Sequence, residues 1–145
     1  MQAIKNELAI DHLLSYITAG NAILTAMSEK TGNRFTYKIK RHPDKSKKMW
    51  FVRVRKGPDY VLLGVIFSNF RGNIDVFVPA KDASIGVDSP QFKAFDYLFE
   101  TAKFKRPKSK KLHVIHSGKC GKCGRTLTDP KSIAHGLGPV CGNRK

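Results

Sequence analysis

All three cysteines of the chain fall in its last 26 residues, in "IHSGKCGKCGRTLTDPKSIAHGLGPVCGNRK", and their spacing constrains the fold more than any other feature. Cys120 and Cys123 form C-x2-C followed by Gly124, a tight turn in which two thiolates and nearby backbone amides point at one ion. Seventeen residues then separate Cys123 from Cys141, which follows the run GLGP. Glycines there let the backbone take positive φ beside a metal, and the proline fixes the approach. A closed structural site needs four ligands, so an imidazole completes the set, and mixed sulfur–nitrogen ligation in so small a segment points to zinc. His113, His116 and His135 compete for that position. Spacing favours His116, which gives H-x3-C-x2-C; His135 would donate from the loop between the cysteines.

The odd number of cysteines, clustered at one end, argues against a secreted disulfide framework. The start, "MQAIKNELAIDHLL", carries early charges and no apolar run of the signal-peptide kind, and "YVLLGVIF" is too short to span a bilayer. The expectation is a soluble protein of a reducing cytoplasm, with no membrane partner.

Charge narrows the class further. The chain carries 27 Lys+Arg against 11 Asp+Glu, a net charge of +16, in two blocks. Between residues 30 and 60 there are eleven basic and two acidic residues; between 101 and 125 there are nine basic residues and no acid. Neither block reads as an amphipathic membrane helix. Concentrated positive charge on a folded chain is the footprint of a polyanion partner, most often nucleic acid.

Periodicity supplies the scaffold. Apolar residues from Ile4 to Ile17 recur at close to 3.6, predicting a helix over 4–18 stopped by Gly20. "AILTAMS", "RFTYKIKR", "MWFVRVRK", "YVLLGVIF" and "NIDVFVP" read as strands. Ser89 as N-cap, Pro90 at the first helical position and the stripe Phe92, Phe95, Phe99, Ala102 predict a second helix. The expected fold class is α+β: a small antiparallel sheet with two flanking helices over residues 1–104, a basic linker at 105–111 and a compact zinc finger at 112–145.

If "RFTYKIKR" and "MWFVRVRK" pair as a hairpin, Lys38, Lys40, Arg53 and Arg55 share one face with Phe51, while Tyr37, Ile39, Trp50 and Val52 pack inward. Cations at strand spacing beside an aromatic ring suit single-stranded nucleic acid, with charge for the backbone and a ring for stacking. The competing reading is a solvated strand face with Phe51 under a helix. The linker would add Lys105, Arg106, Lys108, Lys110 and Lys111.

"HSGKCGKCGRTLTDPKSIAHGLGPVC" resembles the C-terminal zinc-finger signature of small proteins encoded by bacteriophages and prophages. "GNAILTAMSEKTGNRFTYKIK", "YVLLGVIF" and "KAFDYLF" look like the domain that often precedes that finger. The resemblance implies His116, Cys120, Cys123 and Cys141 as zinc ligands, leaves His135 outside the set, and places the protein in a host cytoplasm. It implies no activity.

Catalysis is not expected. A zinc with four protein ligands has no open position for water. His135 and Asn143 have no acidic pair beside them beyond Asp129, and Asp75, Asp82, Asp88 and Asp96 are scattered. The function these features point to is a non-catalytic nucleic-acid-binding phage accessory protein, with single-stranded DNA or RNA favoured over duplex. The alternative is a phage protein that binds and modulates an acidic host protein, such as a nuclease or polymerase component.

Overall fold

A computed structural model describes residues 6–8, 10–44, 47–68, 74–81, 85–104, 112–124, 126–127 and 136–137. The chain is α+β: among the described residues there are two helices and one six-stranded antiparallel sheet. In chain order the elements are α1 (Ile10–Ile17), β1 (Asn21–Ser28), β2 (Arg34–Arg41), β3 (Met49–Lys56), β4 (Asp59–Ser68), β5 (Ile74–Pro79), α2 (Pro90–Phe104) and β6 (Leu112–His116). The sheet order is β5-β4-β3-β2-β1-β6, so β1 to β5 form a meander and the last strand returns to its starting edge.

Strand alternation decides what is buried. Ala22, Leu24 and Ala26 of β1, Tyr37 and Ile39 of β2, and Trp50, Val52 and Val54 of β3 point into one core with α1 and α2. The polar ends of its aromatic residues are satisfied, as burial requires. Tyr37 Oη donates to the Gln91 carbonyl at 2.6 Å, and Trp50 Nε1 donates to Thr18 O at 3.1 Å. Ser89 caps α2 as expected, its Oγ accepting the Phe92 N–H at 3.1 Å. The stripe of α2 buries Phe92, Phe95, Leu98, Phe99 and Ala102. Phe77 of β5 lies among the first three phenyl rings, 5.0 Å from Phe92, 4.8 Å from Phe95 and 6.1 Å from Phe99. Gly64 in β4 makes room for it, because a Cβ there would lie 2.6 Å from the Phe77 ring.

Two expectations require correction. The first helix begins at Ile10, not Ile4. Asn6–Leu8 instead run along the free edge of β6, where Leu8 N–H donates to Val114 O at 2.8 Å and His116 N–H to Asn6 O at 3.0 Å. Covering an open strand edge overrides the helical periodicity of those residues. The second concerns the finger boundary at 112. Residues 112–116 form β6 and pair with β1 from Leu24↔His116 to Ser28↔Leu112, so this segment belongs to the sheet. The β1 edge needs a partner for its backbone groups, and Leu112 and Val114 alternate inward to supply one. Among the described residues no helix is long and apolar enough to cross a membrane.

Candidate nucleic-acid interface and metal-binding knuckle

The face of the sheet opposite the helices carries the cations. Register pairs Lys38 with Arg53 and Lys40 with Phe51. Because their neighbours Tyr37, Ile39, Val52 and Val54 point into the core, Lys38, Lys40, Phe51, Arg53 and Arg55 share the opposite side. Phe51 is half-buried under no described helix, with Val65 opposite it on β4, the His42 ring 5.5 Å away and the Arg53 guanidinium 5.7 Å away. On the adjoining strand Tyr60 lies beneath Lys38 Nζ, at 5.6 Å from the ring centroid. Among the described residues no carboxylate lies within ion-pair distance of these cations. The linker residues Lys105, Arg106, Lys108, Lys110 and Lys111 lie outside the described residues.

The knuckle forms at the end of β6. Lys119 and Thr126 pair across a short hairpin, and Leu127 N–H donates to Gly118 O at 2.9 Å. Gly124 closes the turn with φ of 79°, its N–H bonding Cys120 O at 2.9 Å, and Lys122 N–H donates to Cys120 Sγ at 3.4 Å. An amide aimed at sulfur favours a thiolate, the form that binds metal. Cys120 is buried and Cys123 exposed, neither in a disulfide. His116 is buried, and its Nδ1 accepts the Gly118 N–H at 2.9 Å. That ring nitrogen therefore presents a lone pair, as a ligand must. His113 points to the other sheet face. Its Nδ1 lies 3.1 Å from Glu7 Oε2, and its Nε2 lies 3.2 Å from Glu29 Oε1 without hydrogen-bond alignment. Among the described residues no three His, Cys, Asp or Glu side chains gather to hold a metal. Cys141, His135, Asn143 and Asp129 lie outside the described residues.

Tyr16, absent from the expected ligand and contact sets, fastens the knuckle to the sheet. Its hydroxyl donates to Ile23 O at 2.7 Å and accepts Ile23 N–H at 3.1 Å, and its ring lies 5.9 Å from that of His116. Gly121 and Gly136 close over the ring, joined by a 2.8 Å hydrogen bond from Gly121 N–H to Gly136 O. A Cβ would sit 2.7 Å from the ring at Gly121 and would run into it at Gly136, where φ is 75°. Asn21 adds two bonds, from its N–H to Gly121 O at 2.6 Å and from Nδ2 to Lys122 O at 2.8 Å. Burial pushes the Tyr16 phenol above its ordinary pKa, and the charge of Cys120 adds to this, against the hydrogen bonds to Ile23 and Ser117. The available sequence signal was the glycine beside each cysteine motif, which marks close backbone approach without naming the side chain approached.

Residues 111–144 match a family of unknown function (DUF6011). The matched segment contains β6 and the knuckle, together with all four residues put forward as zinc ligands. No curated protein and no solved structure matches the chain.

Proposed function

We propose that this chain is a non-catalytic nucleic-acid-binding protein, in which the uncovered sheet face receives a single strand and a zinc-bearing knuckle buttresses one end of that face. The observation that carries the reading is the register that sets Lys38 opposite Arg53 and Lys40 opposite Phe51 on the side away from the helices. Cations there meet phosphates, and the rings of Phe51 and Tyr60 offer stacking surfaces that tolerate any base. The linker lysines and Arg106 extend the same charge. On the resemblance of residues 116–141, the proposal includes a bacteriophage or prophage lineage and a host cytoplasm.

Zinc belongs to the proposal as a structural ion held by His116, Cys120, Cys123 and Cys141. The donor set fits: a C-x2-C turn with an amide on Cys120 Sγ, and a buried imidazole with an unprotonated nitrogen. A metal bound at Nδ1 would take the place of the Gly118 hydrogen bond. Metal analysis is expected to find one zinc per chain, lost in His116→Ala. Because His116 lies in β6, chelation should raise amide exchange in β6 and β1 as well as in the knuckle. Full zinc in His116→Ala together with loss in His135→Ala would show the ligand set to be wrong.

The test of function is titration of single-stranded DNA, RNA and duplex oligonucleotides by fluorescence anisotropy. Single strands should bind more tightly. Phe51→Ala should weaken them by about 1–3 kcal/mol and leave duplex binding nearly unchanged, as expected for the loss of one stacked base. Failure to bind any oligonucleotide at low salt overturns the reading and makes an acidic host protein the partner to test.

A further inference from the structure

Between the sheet and the knuckle lies a cleft of about 780 Å³, lined by Lys40, Phe51 and Arg53 from the open face, Arg41 and His42 at the end of β2, and Lys122 from within the C-x2-C turn. The cleft is wide enough to admit a nucleotide-sized group and stands open to solvent. Its walls are fixed. Asn21 grips the backbone of Gly121 and Lys122, Arg41 N–H donates to Gly20 O at 3.1 Å, and His42 N–H to Met49 O at 2.9 Å. His42 is oriented because its Nδ1 accepts the Asp44 N–H at 3.0 Å, and its ring stands 5.5 Å from Phe51 at a tilt of 39°. Among the described residues no acidic side chain lines the cleft, and none pairs with Lys40, Arg53 or Lys122.

We infer that this cleft seats one nucleotide unit of the bound strand, with its base against Phe51 and His42 and its phosphates shared between Lys40 and Arg53 on one wall and Lys122 on the other. Convergent cations with an aromatic flank match an anionic group joined to a planar ring, which describes a nucleoside phosphate better than a bare anion or an acidic peptide. The inference rests on the nucleic-acid reading above and adds a site that includes the knuckle. Lys122 then has two separate duties. Its backbone carbonyl holds the knuckle to Asn21, and its exposed side chain meets phosphate.

The test uses the zinc-loaded full chain, a single-stranded oligothymidylate and a nucleoside 5′-monophosphate. Lys122→Gln keeps the backbone contact, so metal content and melting temperature should not change. Affinity for the oligonucleotide should fall about tenfold at 50 mM salt, and the slope of log affinity against log salt should lose nearly one unit, as for one phosphate contact. His42→Ala should weaken the same oligonucleotide without altering that slope. The monophosphate should shift the amide resonances of Asn21, Gly121 and Lys122, whereas inorganic phosphate at equal concentration should shift them far less. If the unaltered chain binds the oligonucleotide and Lys122→Gln binds equally with the same slope, the cleft is not the site, although the sheet-face reading survives. Shifts confined to β2 and β3 would likewise exclude the cleft. No binding by the unaltered chain defeats the parent reading instead.

Discussion

Replacing Tyr16 with alanine is expected to destabilise the chain by about 3–5 kcal/mol, the range for deleting a fully buried aromatic ring. Three elements meet on that ring. Its hydroxyl joins α1 to β1 at Ile23, its ring lies 5.9 Å from that of His116 in β6, and Gly121 and Gly136 lie against it from the knuckle. Urea unfolding followed by circular dichroism measures the loss. A double-mutant cycle shows whether knuckle contact is part of it. Gly121→Ala should be costly in the intact protein, where its Cβ meets the ring, and nearly neutral in Tyr16→Ala, where the space is vacant. Additive effects of the two substitutions would mean that the knuckle does not lean on Tyr16. Tyr16→Phe should cost only about 1 kcal/mol, since it keeps the packing and gives up the hydroxyl's bonds.

Affinity for nucleic acid should fall roughly a thousandfold between 50 and 200 mM salt if six or more phosphates are contacted, because each neutralised phosphate releases counterion. On the proposed reading the open face would contribute Lys38, Lys40, Arg53 and Arg55, and the linker lysines and Arg106 the remaining contacts. Reversing Lys38 and Arg53 together tests the face directly, since they are cross-strand partners with no described acidic neighbour. The double reversal should weaken every sequence alike and flatten the salt dependence, while the fold, held by the opposite side of the strands, remains. Equilibrium titrations at four salt concentrations measure both quantities. An affinity indifferent to salt would contradict a phosphate-led interface.

Much of the sheet was legible because its signal is local. Alternation in "RFTYKIKR" and "MWFVRVRK" separates Tyr37 and Val52 from Lys38 and Arg53, and any antiparallel hairpin in that register keeps the separation. The α2 cap and stripe were legible for the same reason. Residues 6–8 and 112–116 were not, because their places depend on each other and on β1, distant in the chain. A basic run before Leu112 also hid a strand whose apolar alternation spans only five residues. In the sequence Lys122 is one more charge; its place beside Lys40 and Arg53 depends on Asn21, 101 residues away, holding its backbone carbonyl. Tyr16 was hidden in a helix whose periodicity demanded only an apolar face, and nothing in that pattern foretells a knuckle closing over its ring.

The return of β6 to the first strand has a consequence for how the chain comes off the ribosome. Strands β1 to β5 pair with neighbours in sequence, so the meander can assemble as each hairpin emerges, through contacts of short loop length. The partner of β1 on its other side is separated from it by more than eighty residues of intervening chain. Until those residues are synthesised, the backbone groups along that edge of β1 stand unpaired and able to recruit a strand from another nascent chain. Nor can the cleft beside the knuckle take its final form before then, because Lys122, one of its walls, follows β6. Vectorial synthesis would therefore make the proposed nucleotide site one of the last features this protein acquires.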